Sequence, residues 1–171
     1  PFQISDVLIK DNTFVNINTG RITGGNGGGS NEVMPISGNV RNIRVINNSI
    51  NGASNIGIDI VSRSNRSGHP TNILVQGNYV NDVGRYGNAS SGIYLDAAGK
   101  NIIVEHNFVE NSPFGLSLNV ESTAPDLTTE NVIIRNNILL NNKTNFKFGP
   151  GSHLKYCSQM GMVRNAAAVH N

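Results

Sequence analysis

One short pattern occurs five times in the sequence, and this repeat constrains the fold more than any other feature. Each copy has two apolar residues two positions apart, an asparagine three positions later, and another apolar residue two positions beyond it. The copies begin at Val7, Ile43, Ile73, Ile102 and Val132, so the steps between them are 36, 30, 29 and 30 residues. A fixed period of this length indicates a solenoid, in which each repeat forms one coil.

The spacing inside each copy predicts strands rather than helices. Ile73 and Val75, for example, are two positions apart, which places both side chains on the same face of a strand. The apolar runs are short, rich in Val and Ile, and bounded by Gly and Asn, so a helix is excluded. A second strand follows in each repeat, after a Gly or Asn that we expect to tolerate positive φ at a corner. These second strands are Gly57–Ile60, Gly92–Leu95, Gly115–Leu118 and Asn145–Phe148, with Gly20–Thr23 as a degraded copy.

The asparagine of each copy predicts a ladder. Stacked coils lie about 4.8 Å apart, which brings equivalent side chains into contact. Each amide can then bond the next one and satisfy backbone groups at the bend, so we assign these residues a structural role. The ladder comprises Asn12, Asn48, Asn78, Asn107 and Asn137. The apolar residues that follow it are expected to point inward after the bend, and they are Phe14, Ile50, Val80, Val109 and Leu139.

On these residues the chain resembles the right-handed parallel β-helix of the pectin-lyase-like superfamily. The resemblance covers roughly residues 4 to 149 and rests on the Ile-x-Val-x-x-Asn-x-Val openings, the asparagine ladder and the Gly-Ile-x-Leu second strands. It implies an all-β solenoid of about five coils over residues 1–149. A leucine-rich repeat is the alternative, because Ile43–Ile50 also fits its core. That fold needs an apolar residue further upstream, where three copies have Pro70, Gly99 and Thr129.

Residues 150–171 show no repeat, and we interpret them as a cap or a tail. Ala166–Ala168, with Leu154, Met160 and Val163 at spaced positions, permits a short helix there. Because the chain begins inside a repeat, we expect a mature chain or a fragment of a longer protein.

Bulk composition narrows the function classes. The formal net charge of +2, without any basic run, argues against nucleic acid as a partner. No apolar run approaches the ~20 residues of a membrane helix, so we predict no membrane partner. The single cysteine, Cys157, excludes an internal disulfide. We predict a secreted or cell-surface protein, which is where polysaccharide-acting solenoids of the resembled superfamily work.

The outward positions of the second strands form two columns that suit a sugar chain. The first column holds Asp59, Tyr94, Ser117 and Lys147, and the second holds Val61, Asp96, Asn119 and Gly149. A sugar ring could stack on Tyr94, while its hydroxyls bond the polar side chains. Segments 24–40, 61–71, 83–91 and 119–130 are predicted loops that either wall a groove or form solvated turns. The substrate-binding residues predicted from strands and loops together are Arg63, Arg66, His69, Arg85, Tyr86, Ser117 and Asn119, the arginines being suited to uronate carboxylates.

Two reaction types are open for the predicted catalytic residues Asp59, Tyr94 and Asp96. As a pair, the two aspartates have α-carbons roughly 8 Å apart from standard sheet spacings. That is compatible with the ~6.5–9.5 Å between the carboxyl groups of inverting glycosidases. In a β-elimination, an Arg, Lys or Tyr would take the proton, and calcium or an arginine would neutralise the uronate carboxylate. The catalytic motifs of the polygalacturonase and pectate lyase branches are absent, so the alternative is that both aspartates are ordinary solvated residues.

We therefore predict a protein that binds or cleaves an extracellular polysaccharide, including uronate-containing ones, with lyase or glycoside hydrolase chemistry if it cleaves. The alternative is a non-catalytic structural or interaction solenoid, such as a segment of an adhesin or a phage tail.

One further column of side chains suggests a contact surface, because it faces outward and is mostly apolar. Either a terminal segment or a second subunit would cover this column, which is formed by Leu8, Leu74, Ile103 and Ile133, with Arg44 among them.

Overall fold

The computed structural model of the chain describes residues 2–17, 32–62, 68–85, 90–119, 129–148 and, as backbone alone, 163–169. Several predicted features lie outside these residues. They are Arg63, Arg66, Tyr86, Gly149 and the degraded strand Gly20–Thr23.

Within the described ranges, every regular element is a β-strand, which confirms the all-β prediction. In chain order the strands are β1 (Ile4–Ser5), β2 (Leu8–Lys10), β3 (Thr13–Ile17), β4 (Met34–Ser37), β5 (Val40–Ile46), β6 (Ser49–Ala53), β7 (Ile58–Val61), β8 (Thr71–Gln76), β9 (Tyr79–Asn81), β10 (Ser91–Asp96), β11 (Gly99–Glu105), β12 (Phe108–Glu110), β13 (Phe114–Asn119), β14 (Thr129–Arg135), β15 (Ile138–Leu140), β16 (Thr144–Phe148) and β17 (Val163–Val169).

The strands form three parallel sheets in which each strand pairs with the equivalent strand of the next repeat. Sheet A has the order β1-β5-β8-β11-β14-β17, with β2 also pairing with β5. Sheet B has the order β15-β12-β9-β6-β3, and sheet C has the order β16-β13-β10-β7-β4. The register follows the sequence repeat, since Ile73 pairs with Ile102 and Ile102 with Val132. The chain is therefore a parallel β-solenoid, with three strands per coil where the sequence predicted two.

Inward-facing side chains from the three sheets form one continuous core. Val75 of sheet A, Val80 of sheet B and Leu95 of sheet C are all completely buried. Ile50, Val80 and Val109 have no exposed area, which confirms that the residues after the ladder point inward. The sequence predicted that these residues follow a bend, whereas they lie in strands of sheet B. A strand of only three residues is stable here because both of its neighbours pair with it.

The predicted asparagine ladder is present, and four of its five residues are buried. The Nδ2 of Asn48 donates to Oδ1 of Asn78 at 3.0 Å, and Nδ2 of Asn78 donates to Oδ1 of Asn107 at 2.9 Å. Asn12 and Asn137 extend the same series at either end. Each of these bonds lies at the corner between sheets A and B. The ladder thereby satisfies polar groups that the bend removes from the sheets.

A second amide ladder, which the sequence reasoning missed, lies near the start of the sheet A strands β5, β8, β11 and β14. Its members are exposed and all have left-handed φ between 53° and 60°, a conformation that Asn and Asp tolerate. Nδ2 of Asn72 donates to Oδ1 of Asn42 at 3.1 Å, and Nδ2 of Asn101 donates to Oδ1 of Asn72 at 2.9 Å. At one end Asn42 donates to the Asp6 carboxylate, and at the other Asn131 donates to Asn101.

The glycines at the start of the sheet C strands are required by packing rather than by positive φ, so the expectation of positive φ was wrong. Gly57, Gly92 and Gly115 are absent from the positive-φ positions of the described chain. A Cβ on Gly92 would lie 2.2 Å from Cγ1 of Val109, and one on Gly57 would lie 2.8 Å from Cγ1 of Val80. The backbone of sheet C passes so close to the core of sheet B that no side chain fits between them.

Two further expectations are wrong. The predicted loop 24–40 contains β4, which pairs with β7 and supplies the first strand of sheet C. The short helix permitted by Ala166–Ala168 is instead strand β17, whose Ala166 pairs with Val132 of β14. Parallel pairing with the edge of β14 outweighs the helix propensity of alanine. The repeat gives a signal for this strand, because Asn165 occupies the position equivalent to Asn131.

Candidate functional site

The two predicted columns on sheet C exist in the expected register. Tyr94 pairs with Asp59 on one side and with Ser117 on the other, and Lys147 follows Ser117. In the second column, Asp96 lies between Val61 and Asn119.

This face is not, however, the open platform that we expected. The exposed fractions are 2% for Asp59, 6% for Tyr94, 2% for Ser117 and 2% for Asn119, while Asp96 is partly exposed. The alternation of a strand shows which side of the sheet a residue occupies, but not whether that side meets solvent. The open sugar platform is therefore wrong, and the catalytic roles of Asp59, Tyr94 and Asp96 stay predictions.

The buried side chains of sheet C bond one another. Nδ2 of Asn119 donates to the Tyr94 hydroxyl oxygen at 3.0 Å, and the Ser91 hydroxyl donates to that of Ser117 at 2.8 Å. The Lys147 ammonium lies 4.2 Å from the centre of the Phe114 ring, a cation–π contact at the margin of the face. These interactions indicate a network that holds the sheet together.

The two described loop residues that were predicted to bind substrate, His69 and Arg85, lie at different corners of the coil. His69 precedes β8 of sheet A and is half-buried, and its Nδ1 has no hydrogen-bond partner among the described residues. Arg85 lies at the corner that follows sheet B and is exposed. The two residues therefore do not belong to one site.

The corner after sheet B forms an open groove of about 670 Å³. Turns of three successive coils line this groove, which we call the corner groove, namely residues 82–85, 111–113 and 141–143. Asp82, Asn111 and Asn141 occupy equivalent places in these turns, each with left-handed φ of 53° or 54°. The groove thus runs along the solenoid axis, across the stacked coils.

Two cationic side chains dominate the corner groove. Nε of Arg85 donates to Oδ2 of Asp82 at 2.9 Å, and a second guanidinium N–H donates to the same oxygen. This ion pair fixes the guanidinium over the neighbouring coil, where a Cβ on Gly52 would lie 2.7 Å from Nη2 of Arg85. Lys143 is exposed and forms no ion pair with any described residue. With one carboxylate and two cations, the groove carries a net positive charge.

The outer face of sheet B holds an aromatic pair that the sequence reasoning missed. Tyr79 and Phe108 are neighbours in register, with ring centres 5.7 Å apart and ring planes inclined by 41°. Both rings are partly exposed. The Tyr79 hydroxyl donates to Oε1 of Glu110 at 2.6 Å, and this hydrogen bond is the main cause that raises the pKa of Tyr79. Each aromatic residue directly follows a ladder asparagine, which could have marked it as outward-facing.

The apolar column on sheet A is in the predicted register. Leu8 pairs with Arg44, Arg44 with Leu74, Leu74 with Ile103 and Ile103 with Ile133. Leu8 is 48% exposed and Ile133 is 40% exposed, whereas Leu74 and Ile103 are half-buried. Contact with a second subunit through this column stays a prediction.

In the part of the chain that the structure describes, no group of three or more His, Cys, Asp or Glu residues could hold a metal ion. None of the described residues forms a helix long and apolar enough to cross a membrane. No protein-family model, curated protein or solved structure matches this chain.

Proposed function

We propose that this solenoid is a distant member of the pectin-lyase-like superfamily and binds an extracellular polysaccharide along the corner groove. The observation that supports the proposal most is the stacking of polar turns from three coils into one open groove with a net positive charge. An open groove suits a polymer better than a small molecule, which usually needs an enclosed pocket.

The spacing of the groove suits an extended chain. Equivalent groups recur at about 4.8 Å from one coil to the next, so the three turns present donors and acceptors over about 10 Å. Asn111 and Asn141 are exposed there and can bond sugar hydroxyls through their side-chain amides. A flexible polymer would gain from a surface whose polar groups are already ordered by the coil.

The net positive charge of the corner groove favours acidic sugars. The guanidinium of Arg85 is oriented by Asp82, and an oriented arginine binds a carboxylate with little loss of side-chain freedom. The exposed ammonium of Lys143 adds a second positive charge two coils away. The uronate carboxylates of a polysaccharide are suitable partners for both groups.

Binding without cleavage is the part of the proposal that the geometry favours. The predicted catalytic residues Asp59 and Tyr94 are buried on sheet C, and among the described residues that line the corner groove Asp82 is the one carboxylate. Acid–base cleavage of a glycosidic bond usually needs two. Cleavage by a lyase that uses calcium therefore stays a separate prediction, to be tested by the absorbance of unsaturated products.

The test is isothermal titration with a galacturonate hexamer, using the wild-type chain and a double variant in which Arg85→Met and Lys143→Met remove both groove cations. Each exposed charge contact contributes about 1 kcal/mol, so the double variant should bind at least tenfold more weakly. Lys10→Met is the matched control, because Lys10 pairs with Asp11 on sheet A, away from the groove. Absence of binding by the wild type, or equal binding by the double variant, would overturn the proposal.

A second candidate function is favoured by the apolar column on sheet A. Its exposed members Leu8 and Ile133 suit a non-catalytic interaction solenoid that associates with a second copy of itself. Sedimentation velocity over a hundredfold concentration range tests this candidate. A dimer that Ile133→Lys dissociates would support it, whereas a monomer at every concentration would exclude it.

A further inference from the structure

The outer face of sheet B carries a single charge among neutral neighbours. Two columns of side chains form this face, and the strand register defines both. The first column is Thr13, Ser49, Tyr79, Phe108 and Ile138, and the second is Val15, Asn51, Asn81, Glu110 and Leu140. Glu110 is the one residue of these columns that is charged at neutral pH.

The Glu110 carboxylate has no cationic partner within the described residues. The ion pairs formed there join Lys10 to Asp11, Arg85 to Asp82, Lys100 to Glu130 and Arg135 to Glu105. Glu110 takes part in none of these ion pairs. Its side chain is partly buried and lies close to apolar side chains. Its neighbours in the column, Asn81 and Leu140, carry no charge. A cation beside a partly buried carboxylate is attracted more strongly than in bulk water, because the local dielectric is lower.

The aromatic pair lies beside this carboxylate. Oε1 of Glu110 accepts the hydrogen bond from the Tyr79 hydroxyl at 2.6 Å, and the Phe108 ring centre lies 5.7 Å from that of Tyr79. The face of an aromatic ring attracts a cation through its quadrupole. A tyrosine hydroxyl is protonated at neutral pH, so the hydrogen bond that positions Glu110 is present there.

We propose that Tyr79, Phe108 and Glu110 form a binding site for a primary ammonium group carried on a sugar ring, that is, for an amino sugar with a free amine. The apolar face of the sugar packs on the two rings, and its ammonium group bonds the Glu110 carboxylate. An N-acetylated sugar keeps the ring but lacks the charge, so it binds more weakly. The site uses none of the residues of the corner groove, and its existence does not depend on uronate binding there.

The experiment is a ¹⁵N chemical-shift titration with a glucosamine tetramer, set against the N-acetylglucosamine tetramer of the same length. The amine form is expected to shift the amides of β9 and β12 and to bind at least fivefold more tightly than the acetylated form. Because the three side chains are partly exposed to solvent, the affinity for one oligomer is expected to be weak. Equal affinity for the two tetramers, or shifts confined to other faces, would overturn the proposal.

Variants separate the site from general charge effects. Glu110→Gln keeps an acceptor for the Tyr79 hydroxyl and removes the charge, so it should weaken binding of the amine tetramer at least fivefold. Glu130→Gln is the matched control, because that carboxylate pairs with Lys100 on sheet A. Phe108→Leu removes one ring without changing charge and should weaken binding by about twofold to fivefold.

Two further controls are galacturonate binding by the variants and the folding of the variants. Galacturonate binding, if present in the wild type, should be unchanged in Glu110→Gln, which distinguishes the two proposals. If Glu110→Gln does not fold, Phe108→Leu carries the test alone. A folded variant of either kind that binds the amine tetramer as tightly as the wild type contradicts the proposal.

Discussion

Removal of one rung from the buried asparagine ladder gives the most informative prediction about stability. Asn78 is 1% exposed and its side chain makes five hydrogen bonds. Its Nδ2 donates to the backbone oxygens of Val45 and Gln76 and to Oδ1 of Asn107. Its Oδ1 accepts from the backbone N–H and the Nδ2 of Asn48.

The cost of Asn78→Ala follows from the groups left behind. The backbone N–H of Asn48 and the backbone oxygen of Val45 lose the partner that the Asn78 amide supplied, and each buried unsatisfied group costs about 1–3 kcal/mol. Loss of the bond to Asn107 adds roughly 1 kcal/mol. We therefore expect the free energy of unfolding to fall by about 3–7 kcal/mol, a large share of the roughly 5–15 kcal/mol typical of a domain.

Asn81→Ala is the control for this variant. Asn81 also loses two amide bonds, to Asn51 and Asn111, but it lies on the exposed face of sheet B, where water replaces them. Its cost should stay below about 1 kcal/mol. Urea unfolding followed by far-ultraviolet circular dichroism measures both variants. Similar costs for Asn78→Ala and Asn81→Ala would refute the reasoning, because burial would then make no difference to the ladder.

Three further predictions follow from single contacts. Gly92→Ala places a Cβ 2.2 Å from Cγ1 of Val109 and should destabilise the chain by about 1–3 kcal/mol, measured by thermal melting; a variant as stable as wild type would contradict the close approach of sheets B and C. Glu105→Gln removes a 7%-exposed carboxylate that accepts hydrogen bonds from side chains of both adjacent coils, so the melting temperature should fall, and an unchanged value would show that the charge is dispensable. Because the pKa of Tyr79 in the folded chain is raised above 10.0, its contribution to stability is complete below that pH and is lost as the pH rises through the folded pKa. Glu110→Gln should lower that pKa in an ultraviolet titration, and an unchanged titration would contradict the hydrogen bond.

The coil and its buried ladder could be predicted from the sequence because burial repeats the same residue types at the same positions. Ile73 and Ile102 are equivalent in sequence and in register, and Asn78 and Asn107 follow them at the same distance. The exposed ladder at Asn72 and Asn101 was overlooked, although each residue directly precedes the first apolar residue of its copy, because an exposed position gives no burial signal.

The candidate site was predicted less well, for a physical reason. Alternation along a strand placed Tyr94 on the outer side of sheet C, but it could not show that this side is covered. Conversely, Tyr79 and Phe108 were overlooked because a three-residue strand after the ladder resembles a bend in sequence. Strand β17 was not predicted, because its three alanines permit a short helix, and pairing with β14 decides their conformation.

The central claim is that coils about thirty residues apart in sequence stack in register. The most direct measurement is the set of nuclear Overhauser contacts between the side-chain amides of Asn48, Asn78 and Asn107. Stacked coils predict strong contacts from Asn48 to Asn78 and from Asn78 to Asn107, with none from Asn48 to Asn107. Contacts confined to near neighbours in sequence would contradict the solenoid, and with it both proposed binding sites.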